Sequence, residues 1–193
     1  DIIIGRQVVG KGHHFPLVTC VGVIDADLGL AGGDLRAGER TYQLLHQVAG
    51  RSGRESRPGK VFLQTSQPDH PLIKALLSWD RDGFLEEEKR GRRDAGMPPF
   101  GKLAAVILSA KDPRIVDDLA SVIAASAPYS SGVQILGPAI APIAILRGRH
   151  RRRFLVKCSK NINIQKILKS WLQNIKVPSN AKIDIDIDPY NFL

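Results

Sequence analysis

Short β-branched apolar runs open the chain. Residues 1–4 and 18–24 each give way to Gly or Asp, the pattern of buried strands in a parallel sheet. Residues 39–49 predict a helix that turns Leu44, Leu45 and Val48 toward a core. A third strand is expected over 61–65, after the Pro58-Gly59 turn. Three strands are too few to close a doubly wound sheet, so the remainder of this α/β domain is expected elsewhere. Helices follow over 71–78 and 83–95, the second braced by Glu86 with Arg90 and Glu88 with Arg92, four residues apart. Gly96-Met97-Pro98-Pro99 then breaks the helix. Beyond it the pattern reads strand 102–109, helix 113–127, strand 133–136, a hairpin of 143–147 with 153–158, helix 162–175 and strand 182–188.

The predicted fold class is therefore α/β followed by α+β. The second part has the element order of a ferredoxin-like sandwich, with two helices on one sheet face. The expected organisation is a partial lobe over 1–70, a helical connector over 71–97 and an α+β domain over 98–193. The chain opens at Asp1, directly in a strand pattern, and is expected to be a piece of a longer protein.

Composition narrows the class. Hydrophobic residues make up 43% of the 193, which argues against native disorder. No apolar run approaches the roughly 18 residues of a membrane span, and no signal peptide is visible; a cytoplasmic protein is expected. Cys20 and Cys158 are the two cysteines, far apart in apolar runs, and are expected to be reduced core residues rather than a disulfide or a metal site. The net charge of +9 is unevenly spread: residues 1–97 hold 14 Lys and Arg against 13 Asp and Glu, residues 98–193 hold 14 against 6. A one-sided basic excess attracts phosphate-rich partners, so nucleic acid is the expected partner of the second half. A merely solvated basic surface is the plain alternative.

Four stretches bear on candidate chemistry. Gly5-Arg6-Gln7-Val8-Val9-Gly10-Lys11-Gly12 nearly fits a Walker A loop, but Gly12 stands where a Ser or Thr hydroxyl must ligate Mg2+. An independent P-loop is therefore not expected. Gln47-Val48-Ala49-Gly50-Arg51-Ser52-Gly53-Arg54 places two arginines three apart beside glycines, where guanidinium forks can reach a polyphosphate. An arginine finger of this kind accelerates phosphoryl transfer by about 10³–10⁵. Arg147-Gly148-Arg149-His150-Arg151-Arg152-Arg153 is expected at the tip of the 143–158 hairpin, where exposed arginines would track phosphates; a charged edge that resists aggregation is the alternative. Asp184, Asp186 and Asp188 alternate along one strand and share a face. Pairing with nearby Lys and Arg is the expected reading, a metal site the other.

The Gln47–Arg54 string resembles motif VI of superfamily-two helicases, and Gly5 to Pro16 resembles their motif V. Lys11-Gly12-His13-His14-Phe15-Pro16, Asp25-Ala26-Asp27-Leu28-Gly29-Leu30, residues 36–45, Gly96-Met97-Pro98-Pro99-Phe100 and Asp186-Ile187-Asp188-Pro189 together resemble the C-terminal part of the PriA-type replication-restart helicases. The resemblance runs over essentially the whole chain. It implies part of the second RecA-like lobe of an ATP-dependent 3′-to-5′ DNA helicase that recognises stalled forks and restarts replication by primosome assembly. On that resemblance Gln47, Arg51 and Arg54 are catalytic and face ATP, with Arg54 the finger; Gly12, His14 and Gly50 lie near nucleotide. Arg6, Gln7 and Lys11 would lie on DNA, as would Arg147, Arg149, Arg151, Arg152 and Arg153. Arg6 departs from the family's Thr, replacing a hydroxyl contact with a charged one. His150 and Arg152 stand where the family often has aromatics, so the hairpin is expected to grip backbone rather than stack on bases.

The implied cofactors are ATP with Mg2+ in the longer protein, which also carries zinc in this family; no zinc site is expected here, since His13 and His14 lack further ligands. Branched and single-stranded DNA, primosome proteins and single-strand-binding protein are the implied partners, in a bacterial, nucleoid-associated setting without a membrane. Lacking a Walker A loop and the Asp-Glu box, this chain alone is expected not to hydrolyse ATP. The alternative from another class is a nucleic-acid-binding module with no motor role.

Overall fold

The computed structural model describes residues 2–5, 18–30, 35–50, 52 and 59–190. The chain divides into two compact units, Asp1–Glu88 and Lys89–Leu193.

In the first unit, strands β1 (Cys20–Val23) and β2 (Lys60–Leu63) pair in parallel, with Cys20 opposite Lys60 and Val23 opposite Leu63. Helix α1 (Ala37–Ala49) lies between them in sequence, and α2 (Pro71–Leu77) and the start of α3 (Arg81–Asp94) follow. Pro71 opens α2 where its missing N–H costs nothing, and the His70 ring accepts the Leu72 N–H at 3.2 Å. The core is Ala26, Tyr42, Leu45, Leu72, Ile73, Leu76 and Phe84. Tyr42 stacks on Phe84 at 4.5 Å between ring centroids.

Three expectations change here. Residues 2–5 form no strand, and Ile2 and Ile4 are exposed, because no neighbouring strand among the described residues pairs with them. The buried face of α1 is Thr41, Tyr42, Leu45 and Ala49, while Leu44 and Val48 are half-buried; the helix is rotated so that its aromatic residue meets Phe84. Cys20 is exposed, whereas Cys158 is buried, since no element among the described residues covers the Cys20 side chain.

The second unit is an antiparallel four-stranded sheet with two helices. Its elements are β3 (Gly101–Ala110), α4 (Pro113–Ala125), β4 (Val133–Leu146), β5 (Arg149–Ser159), α5 (Ile164–Leu172) and β6 (Ala181–Ile187), and the strand order is β4-β5-β3-β6. Alternation puts Ala104, Val106, Leu108 and Ala110 of β3 on one face with Phe154, Val156 and Cys158 of β5. That face is covered by Val116, Leu119, Ala120 and Ile123 of α4 and by Ile164, Leu168 and Trp171 of α5. Both helices start on side-chain caps: Asp112 accepts the Arg114 N–H at 2.8 Å and Asn163 the Lys166 N–H at 3.0 Å. The Trp171 Nε1–H donates to the Ile123 carbonyl at 3.1 Å, so α5 satisfies a carbonyl in the last turn of α4.

The expected short strand and hairpin arm are one strand, β4, with register shifts between Leu136 and Ala139 and between Ile140 and Ile145. Pairing with β5 carries the chain through Pro138 and Pro142, because bulges leave out the amides that proline lacks. Asp188 falls outside β6, in a left-handed conformation (φ 50°), where its carboxylate accepts the Leu103 N–H at 3.2 Å. Asp184 and Asp186 alone share the strand face, and Lys182 pairs with Asp184 at 2.5 Å.

Candidate nucleic-acid interface

Residues 89–193 hold 18 Lys and Arg against 7 Asp and Glu, and residues 1–88 hold 10 against 12. The whole basic excess therefore belongs to the second unit.

The arginine-rich stretch is not the exposed turn that its composition suggests. Only Arg147 (φ 50°) and Gly148 (φ 72°) make the turn between β4 and β5. Arg149, Arg151, Arg152 and Arg153 run along β5, which is flanked on both sides. The register explains this, since Arg152 pairs with both Leu108 and Ile140, and Arg153 with both Ile107 and Ala139. A strand between two others turns alternate side chains to opposite faces. Phe154 faces α4 and α5, so Arg152 does too, while Arg149, Arg151 and Arg153 share the opposite face with Leu103 and Ala105 of β3, both buried.

Each arginine then has its own chemistry. Arg152 grips Asp117 of α4 with both ends of its fork, Nε to Oδ1 at 2.6 Å and Nη2 to Oδ2 at 3.0 Å. Arg149 crosses β3, donating to the Ser109 hydroxyl at 3.2 Å, the Ser109 carbonyl at 2.8 Å and the Asn180 carbonyl at 3.1 Å. Arg151 is 7% exposed and donates to the Ile143 carbonyl at 3.4 Å. Burial, and after it the charge of Arg151, pulls Arg153 below the ordinary arginine range. Ser109, Asp117 and Asn180 carry no signal of these roles in the sequence; they matter only because the register brings them beside arginines. Asp184 and Asp186 lie on the same face as these arginines at the other edge of the sheet, with β3 between them.

In the first unit, Gln47 is exposed on α1, and Gly50 caps that helix with its N–H donating to the His46 carbonyl at 3.0 Å. Beside this end lies a cavity of about 490 Å³ whose lining includes Ala49, Gly50, Ser52, Val61, Leu63 and Trp79. Arg6, Gln7, Lys11, Gly12, His14, Arg51 and Arg54 lie outside the described residues. One clamp went unread in the sequence: the Asp27 carboxylate accepts from the Thr65 hydroxyl at 2.5 Å, the Ser66 N–H at 2.7 Å and the Ser66 hydroxyl at 2.8 Å. These bonds lower its pKa below the usual 3.8 and tie the loop after β1 to the loop after β2. Those loops sit at the carboxyl ends of parallel strands, where α/β folds place ligands.

No group of three or more His, Cys, Asp or Glu side chains able to hold a metal occurs among the described residues. None of their helices is long and apolar enough to cross a membrane.

The chain matches the family model described as primosomal protein N C-terminal domain over residues 93–190. A protein of Rickettsia conorii named replication restart protein PriA is 47% identical over 192 residues, which take in 100% of this chain and 30% of the relative. Proteins of the same name from Haemophilus influenzae and Bacillus subtilis are each 37% identical; each match takes in 98% of this chain, and 26% and 24% of those relatives. The chain thus spans at most 30% of the length of these relatives.

Proposed function

Because the chain belongs to the family of the primosomal protein N C-terminal domain, we propose that it is the C-terminal part of an ATP-dependent 3′-to-5′ DNA helicase that restarts replication at stalled forks. Residues 1–70 belong to its second RecA-like lobe, residues 71–97 connect, and residues 98–193 form a ferredoxin-like DNA-binding domain. The parallel pairing of β1 and β2 with α1 between them supports the first assignment. The strand order β4-β5-β3-β6 with both helices on one face supports the last.

The single observation that carries the DNA-binding reading is that the unit containing the whole of the family match also holds the entire basic excess. Arg147 at the turn and Arg149, Arg151 and Arg153 on the sheet face opposite α4 and α5 meet the phosphate backbone, with an affinity that falls steeply with salt. Arg152, held by Asp117 on the other face, braces the sheet instead. In the first unit, Gln47 and Gly50 at the end of α1, with Arg51, Arg54, Gly12 and His14, face ATP and its Mg2+. Arg54 stabilises the charge that develops on the transferred phosphoryl group. Arg6, Gln7 and Lys11 meet the DNA strand. The zinc of the longer protein lies outside this chain, and this chain alone hydrolyses no ATP. Primosome proteins and single-strand-binding protein are its partners in the bacterial cytoplasm.

The test is fluorescence anisotropy of a labelled fork DNA against the 193-residue chain at several salt concentrations, together with ATPase assays of the longer protein. Steeply salt-dependent binding is expected. In the longer protein, Arg54→Ala is expected to abolish DNA-stimulated ATP hydrolysis and leave fork binding largely intact. Equal loss of both activities would make the chain a non-motor binding module.

A further inference from the structure

Among the described residues, Arg151 is a β5 arginine whose charge meets no anion. Arg152 holds a carboxylate, and Arg149 is spread over three oxygens. Arg151 is more than nine-tenths buried, yet it makes no ion pair among the described residues. Its one side-chain hydrogen bond, to the Ile143 carbonyl, is 3.4 Å long, at the weak limit for such a bond. Burying a cation without an anion costs free energy that a well-packed apolar side chain would not.

The pairing beside it is irregular. On β4 residues 141–144 lie between the partners of Arg152 and His150, while β5 places only Arg151 there. The bulge sets four β4 residues beside Arg151, with Ala141 buried and the Ile143 carbonyl on the guanidinium. Arg151 is also the middle of a row, with Arg149 and Arg153 two residues to either side on the face opposite α4 and α5.

We propose that Arg151, seated in the β4 bulge and flanked by Arg153, is a built subsite for one phosphate group of a nucleic-acid backbone. The inference rests on the DNA-binding reading above and deepens it. An arginine fork fits phosphate and carboxylate alike, but the row favours a regular polyanion. Side chains on one strand face repeat about every 6.8 Å, twice the roughly 3.4 Å rise per nucleotide of a duplex strand. A buried fork at the centre of the row fixes the register of the strand, while Arg147 at the turn adds charge.

The test is Arg151→Met in the 193-residue chain, with Arg151→Lys as the variant that keeps the charge but loses the fork. Three readouts separate function from packing. In thermal melts without phosphate, Arg151→Met is expected to melt at or above the native temperature. When inorganic phosphate replaces chloride at constant ionic strength, the native chain is expected to gain melting temperature, Arg151→Lys to gain less and Arg151→Met to gain none. With fork DNA, the native advantage over Arg151→Met is expected to shrink about 3.5-fold between 50 and 200 mM salt, the loss of one phosphate contact.

A lower melting temperature for Arg151→Met, with unchanged phosphate response and unchanged salt dependence, would make Arg151 a plug for the bulge and overturn the proposal. Phosphate stabilisation that is lost in Arg151→Met, in a chain that binds no DNA, would leave a free-phosphate site and sink the DNA-binding reading instead. No phosphate-specific stabilisation of the native chain, with an unchanged salt slope in the variant, refutes the subsite outright.

Discussion

Arg147 and Arg152 are indistinguishable as letters in a basic run, but the fold assigns them opposite work. Replacing each by Ala should separate stability from binding. The Arg152–Asp117 pair is bidentate, with side-chain exposures of 19% and 51%. Two unit charges about 4 Å apart near a protein surface attract by roughly 4 kcal/mol. Hydration of the half-exposed carboxylate and the ordering of both side chains cancel most of that, leaving about 1 kcal/mol. The lost packing of the arginine stem adds a few tenths. For a domain near 100 residues this lowers the melting temperature by about 5–8 °C. Arg147 has no such pair and sits exposed on the turn, so its removal should leave the melt unchanged. In anisotropy titrations with fork DNA, Arg147→Ala should flatten the plot of log affinity against log salt by about one unit. Arg152→Ala should leave that slope alone. A slope reduced by one unit in Arg152→Ala, at an unchanged melting temperature, would refute the assignment of faces on β5.

Other consequences are open to measurement. Trp171→Phe removes the indole donor from the Ile123 carbonyl and shrinks a ring that is 4% exposed, so it should cost roughly 2 kcal/mol; an unchanged midpoint in urea denaturation followed by circular dichroism would contradict this. Asp27 binds its partners as a carboxylate and its pKa is lowered, so its contribution is fully present above the unfolded value near 3.8 and is lost as pH falls through the folded value. Asp27→Asn should therefore melt below the native chain at pH 7, with the gap closing below about pH 4; a gap independent of pH would show that the charge is not what the clamp uses. Arg54→Ala in the longer protein should lower DNA-stimulated ATP turnover by about 10³-fold or more, read by phosphate release at saturating fork DNA.

The order of elements in the second unit could be read from the chain because each carries its own local evidence. Asp112 and Pro113 start α4, Asn163 starts α5, the apolar run Leu103–Leu108 makes β3 and the two-residue alternation of Lys182–Ile187 makes β6, neither broken by proline. The basic excess and its confinement to the second half were equally legible, since charge needs no fold to be counted. The first unit was legible in α1 and β2, but not in residues 2–5, where β-branched composition met no partner strand among the described residues. What the sequence could not decide is the face each residue takes. That depends on register, and a shift of one residue sends every side chain to the other side of the sheet. Seven residues between 147 and 153 read as one basic turn; pairing with Leu108 and Ile140 made most of them a strand. Long-range pairing gave Arg152 to Asp117 and Arg149 to Ser109, and set Arg151 beside the β4 bulge, buried without an anion among the described residues. Composition set the net charge of each half, whereas the sheet decided which face each arginine takes.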